Sequence, residues 1–318
     1  SAMRIFDKDL LRQFIEHHKI PFMTTTMGKG LIDDDHPLAL GCIERARRQH
    51  QRALLRSADL IVGLGYDTIE VEYEAWIGDV PLLQLDIESV DVADSVDLRL
   101  EVIGNLDTAL QEFLLLKGST HAWRQAELRA HRKEFDRLLR PQSDLFTAHQ
   151  AIDAVRAALP ADGILAFDVG AHTHQIASQW HAPAPKSFLI TNGWSSMGFG
   201  LPAAIAAKLA APERPVVYLI GDGCFQMTCG EMATAKRAGI TLPVVVLDDR
   251  WLGLIRVKQM RRQYGIYGTE LQKEEYRTPP AHYFGVPAKG VKSRAALTRA
   301  VKKALAADGP TVIEALVD

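Results

Sequence analysis

Asp222 and Asp249 stand 27 residues apart, each just past an apolar, β-branched run, Val216–Ile220 and Leu242–Leu247. Thr228–Gly239 between them reads as a helix, so the segment is a strand-helix-strand unit with a carboxylate after each strand. Strands so connected are parallel, and the right-handed crossover puts both carboxyl ends on one edge of the sheet. Two hard oxygen ligands are therefore expected to converge, and Gly221 and Gly223 beside them leave room for a phosphate or an ion. The chemistry this suggests is a divalent ion, magnesium by preference, holding a phosphorylated cofactor.

Three further segments belong near the same edge. Phe167–Gln175 passes from strand to helix through Gly170, so His172 falls near a helix N-terminus, where backbone N–H groups and an imidazole suit a phosphate oxygen. A plain helix-capping loop with a solvated histidine explains the same residues. Thr191–Gly200 is rich in small residues around Met197, a flexible apolar surface against which a ring could lean. The loop Arg250–Ile255 offers apolar side chains to cover a ring and a backbone carbonyl for a metal, or it is simply a packed loop. Lys258 and Gln259 beyond it could meet a substrate carboxylate, or serve as ordinary surface residues.

Alternating strands and helices must position these residues, and they imply an α/β chain of two doubly wound parallel-sheet domains. The first, residues 1–118, is Rossmann-like. Its expected elements are a helix at Leu10–His18, a strand at Pro21–Thr25, a helix at Arg45–Ser57, strands at Leu60–Gly63 and Pro81–Asp86, and a helix at Leu106–Leu116. It begins on a helix where such a sheet normally begins on a strand, so an N-terminal part is expected to be missing. Residues 119–142 form a strongly charged segment, expected to be a solvent-exposed linker helix. In the second domain, residues 143–318, helices are expected at Thr147–Ala158, Thr173–Trp180, Gly200–Ala210 and Ala295–Ala307. Strands are expected at Ile164–Phe167, Ser187–Ile190 and Thr311–Val317, besides the two that carry the aspartates.

Composition excludes several classes. At 318 residues, 24% charged and with a formal net charge of -2, the chain has no basic excess for nucleic acid and no acidic tail. Its longest apolar stretches, such as Ala203–Ala211, fall far short of the roughly 20 residues that span a bilayer. Cys42, Cys224 and Cys229 form no CxxC pair, so a reduced, cytoplasmic setting is expected. No signal peptide is evident, and the opening Ser-Ala-Met reads as a cloning remnant. A nicotinamide-binding protein would need GxGxxG opening a helix after the first strand, and no such run exists.

Together the segments resemble a known family. Gly221-Asp222-Gly223 followed by Asp248-Asp249, with Asp168–His172, Gly193–Pro202 and Leu252-Gly253-Leu254 in the same order, closely resemble the diphosphate-binding domain of thiamine-diphosphate enzymes of the acetolactate synthase and benzoylformate decarboxylase group. The first domain resembles their central domain through Pro21–Gly30, His36–Gly41, Ala58–Gly65 and Leu85–Glu88. The resemblance implies an enzyme that decarboxylates a 2-oxo acid and then protonates or carboligates the enamine, with thiamine diphosphate and Mg2+ as cofactors. It implies that Asp222, the Asp249 side chain and the Trp251 carbonyl bind the metal. Gly221, Gly223 and Cys224, with Gly170, Ala171 and His172, would hold the diphosphate. Ser195, Met197, Leu252, Gly253 and Leu254 would line the rest of the cofactor, Met197 as the wedge that bends it. A homo-oligomer, dimer or tetramer, is implied for the full-length protein.

The chain departs from the pattern in three places. Asp249 stands where Asn is usual, adding a carboxylate that draws the ion but repels the diphosphate. Gly41-Cys-Ile-Glu44 replaces the Gly-Met-His-Gly of acetolactate synthases that hold FAD, so FAD or ADP in the central domain is a weaker expectation than an empty or differently filled one. The glutamate that activates the cofactor belongs to a separate pyrimidine-binding domain, so no catalytic residue is expected in this chain. It is expected to be the C-terminal portion of a longer polypeptide, binding cofactor weakly or not at all and not turning over alone. A non-catalytic binding or scaffold module that keeps the fold is the alternative.

Overall fold

The protein is described by a computed structural model that covers residues 2–66, 74–119, 123–191 and 193–318. Asn192, within the methionine-centred loop, and 120–122 of the charged segment lie outside the described residues. The chain divides into two units, Ser1–Leu139 with His181–Pro185, and Arg140–Trp180 with Lys186–Asp318.

The first unit opens with α1 (Lys8–His18), capped by Asp7, whose carboxylate accepts from the Asp9 and Leu10 N–H groups. Leu10, Leu11, Phe14 and Ile15 bury one face of it, and Lys19 ends it in the left-handed conformation. β1 (Phe22–Thr24) pairs in parallel with β2 (Ala39–Cys42), followed by α2 (Arg48–Leu55). β3 (Ile61–Leu64), α3 (Glu74–Ile77), β4 (Leu82–Asp86) and β5 (Leu98–Ile103) follow, then α4 (Leu106–Leu115) and α5 (Gln125–Leu139). β3, β4 and β5 form a parallel sheet in that order, separate from β1-β2, so the expected single sheet is two smaller ones. β2 and β5 are strands that the apolar pattern does not announce. β2 is four residues with a glycine, and β5 leaves half its side chains in water.

The charged segment also differs from expectation. α5 belongs to the first unit, with Leu128, Phe135 and Leu139 buried. Gln51 donates to the carbonyls of Leu40 and Cys42 at 3.0 and 3.2 Å, while His131 of α5 bonds its Oε1 at 2.7 Å. Gly41, at φ 95°, has no Cβ to strike the Phe135 ring, which would lie 2.8 Å away. Three apolar residues and one buried amide thus dock a helix whose remaining faces are charged.

In the second unit, α6 (Ala148–Ala158) begins with a capping box between Thr147 and Gln150. The elements that follow are β6 (Ile164–Phe167), α7 (Ala171–Gln179), β7 (Phe188–Leu189), α8 (Gly200–Ala210), β8 (Val216–Gly221), α9 (Asp222–Thr228) and α10 (Met232–Arg237). Next come β9 (Pro243–Asp248), α11 (Gly253–Arg261), β10 (His282–Tyr283), β11 (Val286–Val291), α12 (Arg294–Leu305) and β12 (Thr311–Leu316). One seven-stranded sheet runs β10-β11-β12-β9-β8-β6-β7, parallel except for β10. β6 and β9 are buried throughout and β8 nearly so, as expected for strands covered by helices on both faces.

The helix between the two aspartates is not the single Thr228–Gly239 element expected. α9 starts at Asp222 itself, a 3-10 turn spans Cys229–Glu231, and α10 completes the crossover. Similarly, α7 starts at Ala171 rather than Thr173, and α11 takes up Gly253 and Leu254, expected in a loop.

Candidate functional site

From β6 the chain goes outward to β7, then returns to β8 on the other side of β6. This reversal opens a crevice beyond the carboxyl ends of β6 and β8, where ligands bind in open α/β sheets. The turns that face it are Asp168–Ala171 and Gly221–Gly223. β9 lies beside β8 in a register that pairs Gly221 with Leu247, so Asp222 and the Asp248-Asp249 pair leave the sheet side by side.

Asp222 is buried and accepts two backbone bonds, from Gly223 N–H at 2.8 Å and Arg250 N–H at 2.9 Å. Burial, then the negative charges of Asp249 and Asp248, push its pKa up to about 8. Asp249 is also raised, chiefly by burial, and accepts from Trp251 N–H at 2.9 Å. Asp248 is differently placed. It is fully buried, with Arg277 Nε 3.5 Å away and Gln272 Nε2 3.3 Å from both of its oxygens. Leu252 N–H to Thr269 O and Leu271 N–H to Arg250 O, each 2.8 Å, clasp the 249–252 turn from the other side.

Around α7 the packing is tight. Gly170 adopts φ 150°, and the His172 ring lies where Cβ atoms on Gly170 or Gly221 would be, 2.8 and 3.0 Å from its Cε1. Burial, then His174, pulls the His172 pKa down to about 4, so the ring is neutral. It bonds the Asp168 backbone, while its Nε2 is buried without a hydrogen-bond partner. The ring stands at the N-terminal turn of α7, whose backbone N–H groups are further donors at the same edge. Gly221, too, makes room for this ring.

Asp168, which the sequence reading quotes only as part of a motif, is the buried anchor of the crevice. Its carboxylate accepts from Val169 N–H at 2.8 Å, Gly200 N–H at 2.9 Å and Tyr218 O–H at 3.4 Å, tying the end of β6 to the start of α8. Cys224 donates its thiol to Val169 O at 2.8 Å, and burial pushes its pKa up to about 12. A Cβ on Gly223 would lie 2.7 Å from Leu252, 3.4 Å from Leu271 and 3.8 Å from Met197. The missing side chain of Gly223 thus lets Leu252, Leu271 and Met197 close up beside it.

Comparison with known proteins decides the family. Residues 168–315 match the C-terminal TPP binding domain of thiamine pyrophosphate enzymes, and residues 7–113 match their central domain. The chain belongs to the thiamine pyrophosphate enzymes. A probable acetolactate synthase large subunit of Methanococcus aeolicus is 26% identical over 337 residues, covering 97% of this chain and 55% of the relative. The isozyme 2 large subunit of Escherichia coli is 27% identical over 318 residues, with 97% and 57% covered. The acetolactate synthase large subunit of Lactococcus lactis is 28% identical over 273 residues, with 82% and 47% covered. The chain spans about half the length of the curated relatives it matches.

In this thiamine pyrophosphate enzyme chain the remaining expected residues fall as follows. Gly253 lies 3.4 Å, measured from an added Cβ, from Asp249 Oδ2 and 3.6 Å from Ala171, so the α7 and α11 turns meet there. Trp251 bridges to Glu270 and carries the Arg256 guanidinium 3.9 Å above its ring. Met197 is half-buried against the sheet's core, and Leu254 follows Gly253 in the first turn of α11. Ser195 is exposed, with φ 51° and its hydroxyl on Gly193 O. Gln259 bonds Tyr267 O at 2.9 Å, which makes it a loop support, and Lys258 is exposed. The sequence gives Asp168 no role beyond its motif and leaves Gln272 and Arg277 unmarked. A charged residue at the end of an apolar strand flags Asp168; nothing local flags the other two.

Proposed function

We propose that this chain is the cofactor-tail half of a thiamine diphosphate- and Mg2+-dependent enzyme that decarboxylates a 2-oxo acid and protonates or carboligates the product, as the names of its acetolactate synthase relatives suggest. One observation carries the metal assignment: a buried Asp222 carboxyl, held up to about 8 by burial and by Asp249 and Asp248, at the carboxyl edge of a parallel sheet. A divalent cation there restores the ionised form and offsets the repulsion. The residues present fit the group. Asp222, Asp249 and the Trp251 carbonyl would hold the ion; the backbone N–H groups of Ala171, His172, Gly223 and Cys224 would face the diphosphate; Met197, Leu252 and Leu254 would form the apolar wall against its rings.

Bound there, thiamine diphosphate supplies the carbanion and the electron sink that decarboxylation requires. The chain's own residues orient and desolvate. Asp168 fixes the relation of the β6 turn to α8, Arg277 and Gln272 fix the Asp248–Asp249 turn, and the Met197–Leu252–Leu271 wall keeps water from the ring side. The unpartnered Nε2 of His172 is free to meet the cofactor's diphosphate end. Assembly as a homo-oligomer in the reducing cytoplasm, and little turnover by this half alone, belong to the same reading.

Calorimetry with Mg2+ and thiamine diphosphate tests it, on this chain and on the full-length polypeptide. Asp249→Asn should keep binding and Asp222→Ala should abolish it. Parent-like affinity in the Asp222→Ala protein would sink the assignment. A 2-oxo acid screen of the full-length polypeptide, following carbon dioxide and carboligation products, then separates the enzyme from a scaffold that merely keeps the fold.

A further inference from the structure

The 181–185 segment belongs to the first unit, where it is held against the loop that leads into β2. Gly30, at φ 80°, admits it: a Cβ there would strike the Ala184 carbonyl. Ala182 N–H donates to Asp34 Oδ2 at 3.0 Å, and the same oxygen takes the buried Lys29 ammonium at 3.0 Å. Asp34 is thus spent on the loop itself. Its neighbours Asp33 and Asp35 meet His181 instead, Asp33 Oδ1 2.9 Å from Nε2 and Asp35 Oδ1 3.5 Å from Nδ1. One ligand atom from each of the three residues lies within 4.8 Å of the other two.

With the ring neutral, this trio carries two negative charges, and among the described residues neither carboxylate has a Lys or Arg in ion-pair reach. The cations of the loop are committed elsewhere. Lys29 holds Asp34, and Arg132 donates to the carbonyls of His36 and Asp34 at 3.1 and 3.4 Å. Carboxylates alone suit the hard ions magnesium and calcium, whereas an added imidazole moves the preference to zinc, copper, iron or nickel. Zinc sits about 2.0–2.2 Å from nitrogen and oxygen ligands, so the three atoms must draw together. Asp33 and Asp35 are 55% and 77% exposed, which leaves their side chains room to rotate inward. Three protein ligands with water at the remaining position complete a tetrahedral ion.

We propose that Asp33, Asp35 and His181 form a site for a divalent transition-metal ion, zinc by preference, that fastens the 181–185 segment to the first unit. The site is independent of the cofactor assignment in the second unit.

Zinc titrated into the full 318-residue chain by calorimetry, with millimolar Mg2+ held constant, tests it. Zinc should bind at micromolar concentration, raise the unfolding midpoint, and shift the ring resonances of one histidine that the His181→Gln spectrum lacks. His181→Gln and the double variant Asp33→Asn/Asp35→Asn should each weaken binding at least about tenfold, since even an outer partner of a metal ligand is worth that much. Asp222→Ala should leave the zinc affinity unchanged. If His181→Gln does not fold, Asp35→Asn at its exposed position carries the comparison. A protonated ring bridging two carboxylates is the plain alternative, and it predicts no zinc binding. The proposal is overturned by that result, by variants that bind zinc as the parent does, or by displacement of zinc when Mg2+ is raised.

Discussion

Arg277→Met should damage the second unit more than any surface substitution, through Asp248. The Arg277 guanidinium is 12% exposed and the Asp248 carboxylate 1%, with Nε 3.5 Å from Oδ2. The same guanidinium donates to the carbonyls of Asp248 and Val317, bridging the ends of the neighbouring strands β9 and β12. Removing it strands a buried charge. Breaking a buried pair in this way costs about 3–5 kcal/mol. Asp248 keeps Arg250 N–H at 3.1 Å and the two Gln272 contacts, so the lower end applies. For a unit of this size about 3 kcal/mol is a drop of about 6–12 °C in the unfolding midpoint. The assay is a double-mutant cycle in urea. Asp248→Asn removes the stranded charge, so the Arg277→Met/Asp248→Asn protein should recover at least about 1.5 kcal/mol of the sum of the single losses. A coupling below about 0.5 kcal/mol would refute the idea that Arg277 acts by compensating Asp248.

Acid should loosen the first unit through His131, which stacks on His50 at 4.0 Å between ring centroids and whose pKa burial, then His50, pulls from 6.5 down to about 4. The unfolded chain then binds the extra proton between those values, so stability is complete above pH 6.5 and is lost as pH falls toward 4. With the ring partly open to solvent the loss is about 1–2 kcal/mol, and His131→Gln should flatten the acid limb of a urea-midpoint titration; an unchanged limb contradicts the account. Gly170→Ala places a Cβ 2.8 Å from the His172 ring at φ 150° and should cost about 1–3 kcal/mol, with a moved His172 resonance; a neutral substitution would show that the turn is slack. Among the thiols, Cys42 and Cys224 are buried and both pushed up to about 12, whereas Cys229 is half-buried. Native protein should therefore show one thiol that reacts promptly with a disulfide reagent, with two more after denaturation.

What the sequence discloses follows from burial. β6, β8, β9 and β12 are walled on both faces, so they read as largely apolar runs, broken in β12 by Glu314, and their bounds come out within a residue or so. β5 and β11 are half in water and β10 is two residues long, which removes the pattern that would mark them. α5 hides its docking face behind charge because only three of its fifteen residues are buried. In the site, the glycines and aspartates are visible because their types are rare inside strands and so mark where an apolar run stops. Their neighbours are not: that Gly221 faces an imidazole, and that Arg277 reaches Asp248 from 29 residues away, are facts of packing that no local spacing encodes.

The two margins of the seven-stranded sheet have a consequence for how such molecules can join. One margin is β7, two residues long, and the other is β10, also two residues and turned antiparallel. Among the described residues neither presents a row of free backbone groups long enough for a foreign strand to add on, the route by which sheets grow across molecules into filaments. A chain that met the second unit would therefore find helices and loops rather than a strand edge.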